Sequence, residues 1–139
     1  SILCNKYYRG TDGDYTNVPQ IRLAEMYLTR SICFFLADDK ASAARDLNVV
    51  RKRAWDASVA GVSYEASSHY VTSANITEQM INDERLIEMF CDGDRIDYLR
   101  GLKVDVPNGA RAPGSVHYTD KGFVWPVPVN EQKLNGGYH

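Results

Sequence analysis

The stretch that most constrains this chain is residues 76–102, ITEQMINDERLIEMFCDGDRIDYLRGL. Its first half has helical spacing: Met80, Ile81, Ile87, Phe90 and Cys91 recur so as to form one apolar face. Thr77 is placed to cap the helix, and Glu78 suits the positive end of its dipole. Gly93 can take a positive φ and stop it. A second short helix is expected from Asp94, with Ile96, Tyr98 and Leu99 inward.

The charge in this stretch constrains the packing further. Ile81, Glu84, Glu88 and Cys91 share a helical stripe, so Glu84 sits among apolar neighbours. A carboxylate there must be paired or driven neutral. Arg85, Arg95 and Arg100 are the partners nearest in sequence. The expectation is a buried ion-pair network of Glu84, Arg85, Glu88, Arg95 and Arg100 that ties the two helices together.

Upstream, the pattern predicts helices over residues 19–37 and 40–55, and the stretch above predicts helices over 77–91 and 94–102. Pro19 suits a first helical turn. Ile21, Ala24, Leu28, Ser31, Ile32 and Phe35 form one face, which Leu23, Tyr27 and Phe34 widen, so this helix is expected to pack between neighbours. Arg22 and Glu25 are placed to pair across one turn. Asp38 and Asp39 break the chain and can cap the next helix, where Ala41, Ala43 and Ala44 allow close approach and Leu47, Val50 and Ala54 continue the face.

Residues 56–75 read as a loop rich in Ser, Ala and Gly, with Tyr64, His69 and Tyr70 interspersed. Aromatic rings on a surface loop can stack on sugar rings, so these three are the ligand-contact candidates. The competing reading is that Tyr64 and Tyr70 fold back over the helices and His69 is a plain surface histidine. Residues 103–139 are loop-rich and irregular. A short strand is expected near His117 and Tyr118, and Val124 and Trp125 are expected to dock on helices while the prolines around them hold an extended backbone.

Composition removes several classes of function. A formal net charge of −2 gives no electrostatic reason to bind nucleic acid. Asp12, Gly13 and Asp14 lack the further acids of a calcium loop, and Cys4, Cys33 and Cys91 lack metal-binding spacing, so no metal and no cofactor is expected. Cys33 and Cys91 fall on apolar faces and read as buried free thiols; a Cys33–Cys91 disulfide is the alternative. No apolar run is long enough to span a bilayer, and the sequence shows no leader of basic start and apolar core.

Three blocks in order carry a family resemblance. IRLAEMYL and DLNVVRKRAW contribute Arg22, Leu23, Ala24, Glu25, Tyr27, Asn48, Arg51, Arg53 and Ala54. ERLIEMFCDGDRIDYLRGL contributes Glu84, Arg85, Glu88, Gly93, Arg95, Asp97, Leu99 and Arg100. WPVPVNE closes the set, followed by Asn135-Gly136-Gly137-Tyr138. Together they resemble the C-terminal portion of SusD/RagB-family proteins. Asp92, Asp94 and Ile96 depart from the family's usual residues, as does Gly136, which stands where a proline is usual. The resemblance implies an all-α fold of tetratricopeptide-like helical hairpins with long loops and an irregular C-terminal segment.

In function, the resemblance implies a non-catalytic component of an outer-membrane uptake system, binding a glycan, an oligosaccharide or a peptide. Its partner would be a SusC-like TonB-dependent transporter. The membrane would be reached only through a lipid anchor outside this chain, which would be a piece of a surface lipoprotein. No motif here matches the family's sugar-contacting residues.

Two other classes compete. A glycosidase would need two carboxylates about 5 Å apart across a cleft if it retains configuration. Glu84 and Glu88 lie one helical turn apart, but arginines follow immediately, and ion pairing is the simpler use; no catalytic residue is assigned. A helical scaffold that binds only a partner protein is the other alternative.

Overall fold

The computed structural model describes residues 21–109 and 112–134. The chain is all-α apart from one two-stranded ladder. By its contacts it divides into two units, residues 1–94 and 95–139.

The first unit is built on three helices. α1 (Leu23–Leu36) and α2 (Lys40–Ala54) are joined by three residues, and Asp38 takes a positive φ of 61° in the turn. Asp39 caps α2 by accepting from the Ser42 backbone N–H at 3.0 Å. The two helices run antiparallel: Ser31 Oγ donates to the Ala43 carbonyl at 2.8 Å, one turn from the Arg30–Asp46 ion pair. Ala43 and Ala44 are buried, as their size allows; Ala41 is exposed.

After α2 come α3 (Ala57–Ala60), a 3-10 turn (Tyr64–Ala66) and α4 (Glu78–Glu88). Thr77 caps α4 by accepting from the Met80 N–H at 3.2 Å. α4 crosses both helices of the hairpin, antiparallel to α1 and alongside α2 in the same sense, as its ion pairs show. The core of this unit is Leu28, Ile32, Leu47, Val50, Ile81 and Met89, with Tyr64, Val71 and Ile76 folded in from the connecting segment.

The buried face of α4 is not the one its apolar spacing predicts. Ile81, Arg85 and Met89 point inward, whereas Ile87, Phe90 and Cys91 are exposed and Met80 is half-buried. The reason is electrostatic: Arg22, in the segment entering α1, and Arg51 and Arg53 of α2 meet the acids of α4, and turning those acids toward them turns Ile87 and Phe90 out. α4 ends at Glu88, earlier than expected, and Cys91 takes the left-handed φ of 66° before Gly93 does so at 80°. Cys33 is exposed as well, so neither cysteine is buried as the spacing predicts. Cys4 lies outside the described residues.

α1 begins at Leu23, later than expected; Pro19 lies outside the described residues. Its inward face is Ala24, Leu28, Ser31 and Ile32, while Ile21, Leu23, Met26 and Leu36 remain exposed. The helix is therefore not apolar-packed around most of its circumference.

The second unit contains α5 (Arg95–Gly101), β1 (Val106–Pro107) paired antiparallel with β2 (Ser115–Val116), a 3-10 turn (Lys121–Phe123) and α6 (Val129–Leu134). Leu99 is its buried apolar residue among those described. Arg100 holds two segments together, donating to the Tyr118 carbonyl at 3.1 Å and lying 5.3 Å from the Phe123 ring. Ile96 is exposed. Val124 and Trp125 are exposed too, Trp125 to 93%, in place of the expected docking: Pro126 and Pro128 keep this segment extended.

Candidate functional site

The 20 residues after α2 bring the aromatic side chains together. Asp56 caps α3 through the Ser58 and Val59 N–H groups, and Gly61 ends it in the left-handed region at φ 70°. The chain then doubles back along α2. Asn48 of α2 fixes the return: its amide donates to the Val71 carbonyl at 2.6 Å, and its oxygen accepts from the Val71 N–H at 3.1 Å and the Tyr64 hydroxyl at 2.7 Å. A buried amide with these contacts pins the loop as a strand partner would.

Around that anchor four rings cluster. Trp55 and Tyr64 have centroids 5.7 Å apart, Trp55 and His69 5.5 Å, and Tyr64 and Tyr70 5.7 Å in an edge-to-face contact. The Trp55 indole N–H donates to the Val62 carbonyl at 2.9 Å. Tyr64 is 3% exposed, and burial pushes its phenol pKa up. Tyr70 is 38% exposed and His69 is exposed.

Two open clefts flank Tyr64. The larger, about 370 Å³, runs along α2 past Ala44, Arg45, Asn48 and Lys52 and is closed opposite by Glu65 and Tyr70. The smaller, about 270 Å³, is lined by Trp55, His69 and Tyr64 on one side and by Arg51 and Glu84 on the other. Of the ligand-contact candidates read from the sequence, Tyr70 thus faces one cleft, His69 the other, and Tyr64 forms the wall between. Trp55 and Arg45 were not singled out from the sequence, and Asn48 only as part of the family block. The signal available for Trp55 was its place at the predicted end of a helix, beside an aromatic-bearing loop.

Arginine–carboxylate pairs run beside the site within the first unit. Arg51 Nε donates to Glu84 Oε2 at 2.8 Å. Glu88 receives Arg22 at 2.9 Å on one oxygen and Arg53 at 2.7 Å on the other, and Arg22 also reaches Asp92 at 2.9 Å. Arg85 is buried and holds Asp94 through both carboxylate oxygens at 2.6 and 2.7 Å, with Thr29 Oγ1 at 2.8 Å and Glu25 at 3.8 Å.

This corrects the expected network. Glu84 pairs with Arg51, not with a neighbour in its own stretch, and Arg22 pairs across to α4 rather than with Glu25. Glu84 and Glu88 join α4 to α2 and to the segment entering α1. Arg95 and Arg100 belong to the second unit, where Arg100 serves Tyr118. Sequence proximity favoured the wrong partners because helix packing, not chain distance, sets which charges meet.

Lys52 pairs with Glu65 and holds its carboxyl below the usual range. Among the described residues no group of His, Cys, Asp and Glu is placed to hold a metal ion, and no helix is long and apolar enough to cross a membrane.

The chain is thus all-α, with arginine–carboxylate pairs joining its helices and an aromatic loop bordered by open clefts. The SusD family profile matches residues 3–138, so the chain belongs to the SusD family. This is a family of nutrient-binding proteins of the outer membrane, generally non-catalytic. Comparison with curated proteins and with solved structures gave no match.

Proposed function

We propose that this chain binds a glycan or oligosaccharide at the clefts flanking Tyr64, as part of the nutrient-binding component of a TonB-dependent uptake system. The observation that carries the proposal is the ring cluster of Trp55, Tyr64, His69 and Tyr70, set against α2 and bordered by clefts on both sides. Sugars present apolar C–H faces and a ring of hydroxyls. Aromatic rings take the first, and the amide and charged groups along α2 and α4 take the second. The binding is capture by a preformed surface and needs no covalent chemistry. Glu84 and Glu88 are both held by arginines, which favours a structural use of these acids over catalysis. A SusC-like transporter would receive the ligand, with membrane attachment through a lipid anchor outside this chain.

The test is calorimetric titration of the full-length protein with a panel of oligosaccharides, and of Tyr70→Ala with any that bind. Loss of one stacked ring is expected to weaken binding about three- to tenfold. Absence of binding to every oligosaccharide would remove the proposal. A second reading, a helical scaffold for a partner protein, is favoured by the exposed Ile21, Leu23, Met26, Ile87 and Phe90. Transporter co-purification without any glycan binding would select it.

A further inference from the structure

The two clefts differ in charge. In the smaller, Arg51 and Glu84 neutralise each other. In the larger, the charged lining groups are Arg45, Lys52 and Glu65, and Lys52 is paired with Glu65. That leaves Arg45, whose neighbour is Asp46.

Asp46 is 1% exposed, and Arg30 occupies both of its oxygens, Nε to Oδ2 at 2.5 Å and Nη2 to Oδ1 at 2.9 Å. Arg45 Nε stands 3.6 Å from Oδ1, beyond hydrogen-bond reach. One carboxylate thus faces two guanidiniums, and the better geometry belongs to Arg30. Arg30 is further held between the Tyr27 and Phe34 rings, at 5.3 and 6.0 Å from their centroids. The surplus positive charge falls on Arg45, whose side chain is 64% exposed at the edge of the cleft. A guanidinium offers five N–H donors in a fork that matches a carboxylate or sulfate.

We infer that the larger cleft selects an oligosaccharide bearing an anionic substituent, a carboxylate or a sulfate ester, which Arg45 receives while Tyr70 packs against the sugar ring. The inference rests on the reading that this cleft takes an oligosaccharide. It adds the chemical class: acidic glycans over neutral ones. Arg45 contributes a rim charge, so its effect falls with salt.

The experiment titrates the full-length protein at low ionic strength with uronate-containing and sulfated oligosaccharides, each beside its own neutral form, carboxyl-reduced or desulfated. At least one acidic member is expected to bind about tenfold tighter than its neutral form. Arg45→Gln is expected to abolish that preference, bringing affinity for the acidic member down to that of its neutral form. Arg45→Lys is expected to retain part of the preference, since charge survives without the fork. The uronate and sulfate arms separate the two sources of anion. Equal binding of acidic and neutral members, or a preference that survives Arg45→Gln, overturns the inference and leaves the oligosaccharide reading standing. Binding of acidic peptides alone, or of nothing in the panel, overturns both.

Discussion

The two units of this chain are ordered by different means. In residues 21–94, three helices share a core of Leu28, Leu47, Val50, Ile81 and Met89, and arginine–carboxylate pairs join helices far apart in sequence. In the described part of residues 95–134, Leu99 alone is a buried apolar residue, and the chain is held by turns, a two-residue ladder and the contacts of Arg100. Burial and pairing over long sequence separations give the first unit a cooperative core. Local hydrogen bonds give the second a defined path with little apolar surface removed from water.

The largest effect that would test this contrast is at Arg85. Arg85→Ala removes a buried guanidinium and strips the half-buried Asp94 of both hydrogen bonds and Thr29 of another, so a loss of about 3 kcal/mol is expected in urea unfolding. A loss below about 1 kcal/mol would show that the ion pairs decorate the core rather than secure it.

Next comes a paired comparison. Leu47→Ala, at a fully buried position, is expected to cost about 2–5 kcal/mol. Leu99→Ala is expected to cost less, because no second apolar residue is buried with it among the described residues of its unit. Equal losses, followed by the same thermal melt, would break the distinction between the units.

The smallest effect separates capping from packing inside the first unit. Hydrogen bonds from Ser42, its backbone N–H foremost, hold the Asp39 carboxyl below the usual carboxylate range. A depressed folded pKa stabilises above the unfolded value, near 3.9, and that contribution is lost as pH falls through the folded pKa. Asp39→Ala should therefore melt about a few degrees lower at neutral pH. The two melting curves should converge in acid. A gap that persists at low pH would assign the effect to something other than the charged cap.

Much of the fold was legible in the sequence. The three main helices, the Asp39 and Thr77 caps and the loop between α2 and α4 follow from local signals that act within a turn or two. What the sequence could not show was the facing of α4. Its apolar spacing points to Ile87 and Phe90, but the arginines that reorient it, Arg22, Arg51 and Arg53, lie 33 to 66 residues from the acids they meet and announce nothing locally. The site was partly legible for a similar reason. Tyr64, His69 and Tyr70 stood out as aromatics in a polar loop. Asn48, which holds that loop, reads as an ordinary helical residue until its three hydrogen bonds are seen. Likewise Arg45 becomes distinctive only because Arg30 claims Asp46 from the neighbouring helix.

Glu88 gives one oxygen to Arg22 of the segment entering α1 and the other to Arg53 near the end of α2. Changing either arginine alters the carboxylate on which the other depends, so losses at these positions do not add. The three residues thus respond as one unit: once either arginine is replaced, replacing the other is expected to cost less than it does in the intact protein.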